Sequence, residues 1–342
     1  MNKVKEAGYR QVWVGVFVAA LAPAANLPTV VARFGPVGWL GVALLALLAP
    51  LYVRLLKGLG TDGLAAVLKD RWGFFGRCVL GLYYLWAMAL AALTAGGCVD
   101  RLARTDYGEL PSWGVAVLLV AVTAYLVYKG KGGFLRAAQV FFLALAVVLL
   151  LFFALGAANL NGDNLRPEGW EQVARGLGGI WPGLGVVAVG ALGAFLPHEG
   201  RREGESAGWR WLCLWALAGA GLCLMVMGAL GAELTVRAPL PFFLALQGIG
   251  FPGGFQRLEA LGTAAWVLSD VTLMGLATLV GVEIAGGRKG WAWPILIAAA
   301  VGGCFLPNAA VAGAQGVLFG INVALGVVLP VLAAAGRPSS SP

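Results

Sequence analysis

Asp270 is the residue of this sequence with the clearest chemical potential, because it lies near the middle of an apolar segment, residues 257–282, that is long enough to cross a bilayer. On a helix of 3.6 residues per turn, Glu259, Thr263, Trp266 and Asp270 fall on one stripe. A carboxylate at the centre of a bilayer costs about 3 kcal/mol on insertion scales. We therefore expect Asp270 to face protein or water.

Two roles for Asp270 stay open at this stage. It could take a proton, a cation or a ligand amine together with its neighbour Ser269, or it could make a structural hydrogen bond to exposed backbone. In either case we expect its counterpart to be bare backbone at a break in the first span rather than a charged residue. Arg257 and Glu259 are two residues apart and so do not face each other on a helix. Each is predicted to bind a separate partner as a structural clamp at the outer mouth, and contact with a ligand is the alternative.

The composition is that of a polytopic membrane protein: of 342 residues, 60% are hydrophobic and only 12% are charged, with a mean hydropathy of +0.85. The net charge of +8 does not indicate nucleic-acid binding, because the basic residues are scattered through short connections. Five cysteines without a C-x-x-C pair indicate neither a disulfide framework nor a metal site. No cofactor is expected. No constellation of catalytic side chains appears either, so an enzyme is not expected.

Ten membrane spans are predicted in a single all-α transmembrane domain covering residues 1–336, followed by a disordered tail at 337–342. With the N-terminus in the cytoplasm, 17 of the 24 Lys and Arg residues fall in inner connections and seven in outer ones. By the positive-inside rule both termini are then cytoplasmic. The spans are residues 10–32, 36–56, 78–98, 113–128, 135–157, 174–197, 209–232, 257–282, 291–307 and 309–335.

Two further segments are too short to span. Residues 239–251 are apolar over only about 13 positions and are predicted to form a re-entrant or interfacial helix on the outer side. Residues 61–72 are predicted to form an amphipathic helix that lies on the inner membrane surface. Asn308, Gln315 and Asn322, spaced by seven residues, predict one polar helix face that serves as a packing seam.

The first span is predicted to be broken. It contains Pro23-Ala24-Ala25-Asn26 and then Pro28, and two prolines five residues apart remove two amide donors and clash with the preceding turn. Unwound backbone at membrane depth is tolerated only where it faces protein or a water-filled cavity.

The sixth span is predicted to be broken as well, around Trp181, Pro182, Gly183 and Gly185. Spans 1 and 6 would open two five-helix halves, residues about 10–157 and 174–335, and breaks at corresponding positions of two repeats indicate a transporter-type binding site. Free amides attract a carboxylate and free carbonyls accept an ammonium or a cation, so a zwitterionic amino acid suits such a site. The alternative is that these are ordinary kinks.

The sequence also resembles a known family. Leu240-Pro-Phe-Phe-Leu-Ala-Leu, then Gln256-Arg257-Leu258-Glu259-Ala260-Leu261 and Trp266, are similar to the Pro-Phe segment and the R-L-E-A run of the spore germination permeases. These proteins are the B subunits of spore germinant receptors, within the amino acid–polyamine–organocation superfamily. Where the family often has a basic residue after the Trp, this chain has Asp270.

The resemblance implies ten helices in a five-plus-five inverted repeat and a location in the spore inner membrane. It also implies recognition of an amino acid or similar small germinant, and assembly with an A and a C subunit in the lipid bilayer. The expected function is a germinant-sensing subunit that signals to those partners. The alternative is an amino acid or cation transporter of the same superfamily.

Overall fold

The computed structural model describes residues 8–56, 59, 63–104, 111–196, 201–249, 258–306 and 319–335. Within these ranges the chain is helical and no β-strand occurs. The helices, which we number in chain order, are α1 Tyr9–Ala24, α2 Leu27–Val31, α3 Trp39–Leu56, α4 Gly63–Ala103, α5 Ser112–Tyr128, α6 Lys131–Gly156, α7 Trp170–Gly176, α8 Ile180–Val187, α9 Ala191–Ala194, α10 Arg201–Leu230, α11 Ala232–Arg237, α12 Pro241–Gln247, α13 Leu258–Ile284, α14 Ala292–Phe305 and α15 Phe319–Ala335.

Among the described residues, six helical segments are long and apolar enough to cross a membrane: α3, α4, α6, the run from α7 to α9, α10 and α13. The bent pair of α1 and α2 would make a seventh. Three shorter apolar helices, in α5, α14 and α15, have 10–17 residues each. The chain is therefore a multi-pass membrane protein, and the apolar helices fall where the sequence predicts spans.

α13 lies at the centre of the bundle. It packs against α1, α4, α5, α6 and α14, and more of it is buried than of any other long apolar helix. The stripe predicted from the sequence is confirmed for Thr263, Trp266 and Asp270, whose exposed fractions are 2% or less. Large apolar side chains such as Leu47 and Phe305 are exposed on the periphery, as lipid-facing positions require.

The fourth helix joins two segments that the sequence separates. The predicted inner amphipathic helix and the third span run together as α4, and the chain turns between them at Gly73, with φ 52° and ψ −118°. A positive φ of this kind favours glycine. The segment before Gly73 is packed into the protein through Leu64 and Leu68, rather than only lying on a membrane surface.

The predicted short segment at residues 239–251 forms α12, of seven residues. Its aromatic side chains face the bundle: the ring of Phe242 lies 4.4 Å from that of Trp266 on α13, measured between centroids. Both side chains are buried, with exposed fractions of 1%. α12 is therefore a short helix that aromatic contacts hold against α13. Residues 250 and 251 lie outside the described residues.

Candidate functional site

The first span is bent where the sequence predicts a break. α1 ends at Ala24, α2 begins at Leu27, and the two helix axes differ by 59°. Pro23 lies in the last turn of α1 and Asn26 precedes α2, with its amide bonded to the carbonyl of Pro23 at 3.2 Å. The Asn26 side chain makes no capping hydrogen bond. Ala24 and Ala25 are buried, so this bend lies inside the protein.

The sixth span differs from its prediction, and the expected break needs correction. Residues 170–194 form α7, α8 and α9 joined by 3₁₀ turns at Leu177–Gly179 and Ala188–Gly190, without an unwound stretch. Pro182 is tolerated because it is the third residue of α8, in the first turn, where an amide has no partner within that helix. The segment thus changes pitch twice instead of breaking.

The glycines of α8 serve close packing. A Cβ at Gly183 would lie 2.4 Å from the Leu45 side chain of α3, and one at Gly185 would lie 2.3 Å from the ring of Phe319 on α15. Trp181 is 55% exposed and points away from the bundle interior. α8 nevertheless contacts both α1 and α2, so its buried backbone passes beside the bend of the first span.

The two polar neighbours on α13 reach different helices. The hydroxyl of Ser269 donates to the carbonyl of Val18 on α1, five residues before Pro23. The carboxylate of Asp270 forms an ion pair with the guanidinium of Arg101 on α4. The expectation that Asp270 faces bare backbone rather than a charged residue is therefore wrong. Ser269 takes the backbone contact instead, because adjacent residues on a helix point about 100° apart.

Arg257, the other predicted clamp residue, lies outside the described residues. Glu259 is half-buried, and one of its carboxylate oxygens is buried without a hydrogen-bond partner among the residues that the structure describes. The hydroxyl of Thr263 donates to the backbone carbonyl of Glu259 at 2.8 Å, within the same helix. The clamp therefore stays a prediction.

A polar network beside α8 was not predicted. The hydroxyl of Tyr52 donates to the carbonyl of Gly326 at 2.7 Å, and that of Tyr83 donates to the carbonyl of Leu325 at 2.6 Å. Both carbonyls belong to a π-helical turn, Ala324–Val328, within α15. A wider turn leaves carbonyls poorly matched within the helix, and the two tyrosines satisfy them. The only sequence signal is that a buried Tyr needs a partner for its hydroxyl.

Asn322 connects this network to the sixth span. Its side-chain amide donates to the carbonyl of Gly185 at 3.3 Å, while its oxygen accepts from the indole of Trp86 at 2.7 Å. At Asn322 the predicted packing seam is therefore a pair of hydrogen bonds that connects α15 to α8 and to α4. Asn308 and Gln315 lie outside the described residues.

Substituting Asn322→Ala is expected to lower the free energy of unfolding by about 1–3 kcal/mol, because the indole N–H of Trp86 loses its acceptor in a partly buried place. Asn159→Ala is the matched control. Its amide also donates to a glycine carbonyl, that of Gly248 at 3.0 Å, but in an exposed position. The control should cost less than about 0.5 kcal/mol. Thermal unfolding in detergent measures both, and equal losses would contradict a special role for Asn322.

Comparison with known proteins agrees with this architecture. Two solved variants of the manganese transporter of Eremococcus coleocola are each 16% identical to the chain. The match to the first variant has a TM-score of 0.60 and covers 95% of this chain and 78% of the transporter chain. The second has a TM-score of 0.58, with 94% and 77% covered. At this identity the likeness shows the fold alone. No relative is found among curated protein sequences.

A family model described as "Spore germination protein" matches residues 21–285. The matched region contains the bend of the first span, all of α8 and the central helix α13 with its Ser269 and Asp270. It also contains the Pro-Phe segment and the R-L-E-A run on which the resemblance was based. Since the match takes in more than three quarters of the 342 residues, the chain belongs to the spore germination permease family.

Proposed function

We propose that this chain is the germinant-sensing membrane subunit of a spore germination receptor. It binds an amino acid or similar small germinant at the bend of the first span, and passes a conformational change to A and C subunits. The proposal places it in the spore inner membrane, with ten spans in a five-plus-five inverted repeat and both termini cytoplasmic. The observation that carries it is the 59° bend between α1 and α2, which is lined by buried backbone beside α8.

The chemistry of the bend suits a zwitterion. The last carbonyls of α1 and the first amides of α2 have no partner within their own helices, so they can bind the ammonium and the carboxylate of an amino acid. Pro23, Ala24, Ala25 and Asn26 form this half of the proposed site. α8 contacts both α1 and α2, and its buried segment at Pro182 is proposed to close the other side of the site, while Gly183 and Gly185 let α8 pack against α3 and α15. Trp181 drops out of the proposal because it is exposed.

Ser269 and Asp270 are proposed to couple binding to a cation or a proton. The hydroxyl of Ser269 already meets a carbonyl of α1, a pair of oxygens that could ligate a small cation. Asp270 would have to break its ion pair with Arg101 before it could bind a cation or a proton. Its participation would therefore cost more free energy than that of Ser269.

The segment of α4 before Gly73 is proposed to carry the signal to the partner subunits, because its side chains contact the ends of two other helices. The ammonium of Lys69 donates to the carbonyl of Ile284 at the end of α13, at 3.2 Å. The guanidinium of Arg71 donates to the carbonyl of Ala333 near the end of α15, at 2.8 Å. Cations at helix C-termini donate hydrogen bonds to unpaired carbonyls and interact favourably with the negative end of the helix dipole. A shift of either helix would therefore move this segment, which the proposal places at the cytoplasmic surface facing partner subunits.

Transport is the second candidate function, because the fold is shared with a transporter. Manganese is a poor fit as its cargo here. Within the described ranges, no three His, Cys, Asp or Glu side chains lie close enough together to hold a metal ion. The central carboxylate, that of Asp270, is already paired with Arg101. A small organic zwitterion held by backbone groups suits the bend better.

The proposal is tested by screening purified protein against amino acids, sugars and nucleosides for thermal stabilisation. A germinant at 100 times its Kd should stabilise the fold by about 2.7 kcal/mol. Uptake of the stabilising compound into proteoliposomes then separates the two functions. We expect binding without saturable uptake, whereas saturable uptake by this chain alone would support the transporter. A screen in which no compound in any of the three classes stabilises the protein would contradict the proposal.

A further inference from the structure

The connection between α13 and α14 runs beside the turn in α4, because α4 holds both of its ends. The ammonium of Lys69 donates to the carbonyl of Ile284 at 3.2 Å. The hydroxyl of Tyr84 donates to the carbonyl of Trp291 at 2.7 Å, and the two rings meet edge to face with centroids 5.6 Å apart. Residues 285–290 therefore lie along the part of α4 between Lys69 and Tyr84.

This placement brings three basic side chains to one surface. Arg77 comes from α4, and Arg288 and Lys289 come from the connection. All three are exposed, and none of their side chains has a hydrogen-bond or ion-pair partner in the part of the chain that the structure describes. Together with Phe74 and Phe75, which follow the turn in α4, they form what we call the α4–α14 surface.

Basic residues at the opposite end of the bundle, where α4 and α6 end, are arranged differently. Arg104, Arg166 and Arg237 each pair with an acidic side chain of their own segment. Two carboxylates are described near the α4–α14 surface: Asp70, which is exposed, and Glu283, which interacts with the first residue of α6, a lysine. The three basic side chains of the surface thus keep their charge unpaired and attract an anionic group.

Apolar side chains lie next to these charges. Phe74 and Phe75 follow the turn at Gly73 and are 82% and 64% exposed. There is open space beside them, since a Cβ at Gly81 of α4 or at Gly290 of the connection would meet nothing within 4 Å. Exposed apolar side chains beside unpaired basic ones are typical of surfaces that bind where lipid headgroups meet acyl chains.

We propose that the α4–α14 surface binds an anionic phospholipid. The phosphate lies among Arg77, Arg288 and Lys289, whose guanidinium and ammonium groups suit phosphate oxygens. The acyl chains lie against Phe74 and Phe75. The inference is independent of any amino acid at the bend of the first span, so it stands or falls apart from the proposed function.

A lipid fits this surface better than two other anionic partners. A free phosphate would leave the two exposed phenylalanines without an apolar partner. An acidic segment of another protein would have to enter the membrane interface. Trp291 and Trp293 are 49% and 50% exposed at the start of an apolar helix, and exposed tryptophans in such positions are typical of that interface.

Titration of the purified full chain with phosphatidylglycerol tests the inference. Thermal unfolding in a nonionic detergent is followed as phosphatidylglycerol, phosphatidylcholine or glycerol 3-phosphate is added, and an apparent Kd is taken from the concentration dependence of the midpoint. We expect phosphatidylglycerol to bind about 100-fold more tightly than phosphatidylcholine, because each basic side chain contributes a factor of about five. Glycerol 3-phosphate should not stabilise the protein. Equal stabilisation by the two lipids, or by phosphatidylglycerol and glycerol 3-phosphate, overturns the inference.

Arg77→Gln should weaken phosphatidylglycerol binding about fivefold, since it removes one of the three charges. Arg54→Gln is the matched control, because Arg54 is also exposed at this end of the bundle but belongs to α3, which packs against α8, α10 and α15. It should change the Kd by less than about twofold. Equal losses in the two variants would mean that the lipid senses only the overall positive charge, which contradicts a site between α4 and α14.

Phe74→Ser keeps every charge and removes an apolar contact, so it should weaken phosphatidylglycerol binding about fivefold. Trp170→Ser is its control, since Trp170 is 86% exposed at the opposite end of the bundle. Because both side chains are exposed, the unfolding midpoints without lipid should match that of the wild type. Full affinity in Phe74→Ser would show that only the headgroup is bound, and would overturn the placement of the acyl chains.

Discussion

Asp270→Asn is expected to be among the most destabilising single substitutions in this protein, lowering the free energy of unfolding by about 3–5 kcal/mol. Asp270 is 1% exposed and its partner Arg101 is 5% exposed, so removing the carboxylate's charge leaves a guanidinium unpaired in the protein interior. The effect is measured by thermal unfolding in detergent and by the yield of folded protein.

Two further variants make this prediction specific. Asp270→Leu combined with Arg101→Met removes both charges and should recover most of the loss, because apolar side chains of similar volume replace a buried pair at little cost. Asp100→Asn is the control, since Asp100 pairs with Arg104 at 2.8 Å on the same helix in a partly exposed position. It should cost less than about 1 kcal/mol. A double variant no more stable than Asp270→Asn would show that the pair itself is not the cause.

Gly179→Ala is expected to cost about 3 kcal/mol or more. A Cβ at this position would lie 2.0 Å from the carbonyl oxygen of Gly38, and a Cβ at Gly41 would lie 2.4 Å from the backbone nitrogen of Ile180. Both contacts involve backbone, which cannot rotate away as a side chain can. The start of α3 and the turn before α8 would have to separate, and the sixth span would move with them.

Gly81→Ala is the matched control for this prediction. Gly81 also lies within a helix, but a Cβ there would meet nothing within 4 Å. Alanine should stabilise the protein slightly, by up to about 1 kcal/mol, because glycine is the poorer helix former. Unfolding midpoints of the two variants in one detergent give the comparison. A small effect at Gly179 would mean that the two backbones do not approach so closely.

The apolar helices and the buried stripe on α13 could be predicted, because both depend on local periodicity and on the thickness of a bilayer. The bend of the first span was predictable for a similar reason: Pro23 and Pro28 act on their own turns, wherever the rest of the chain lies. The family likewise followed from a short local run, at residues 256–261, and from a Pro-Phe segment.

The partner of Asp270 was not predictable. Arg101 is 169 residues away in the chain, and its position near the end of a predicted span made it look like a residue of an outer connection. Its side chain extends back along α4 to reach the carboxylate, as long basic side chains can. No local pattern encodes such a contact.

Glycine-rich sequence in the sixth span was ambiguous in a different way. Gly183 and Gly185 could mark an unwound backbone or a close approach between helices, and both uses need the absence of a side chain. In the structure these glycines allow a close approach between helices, with α3 and α15 as the neighbours. Only the positions of those helices distinguish the two, and they depend on the whole fold.

Hydrogen–deuterium exchange at residues 24–27 is the most direct probe of a ligand site at the bend of the first span, because it reports on the bend without altering it. Purified protein is compared with and without the amino acid that stabilises it most. Slower exchange is expected at the amides of Ala24, Ala25, Asn26 and Leu27, with no change in α5, which packs against α4, α6, α13 and α14 and serves as the reference segment. Stabilisation by an amino acid without any protection at these four amides would contradict a binding site at the bend of the first span.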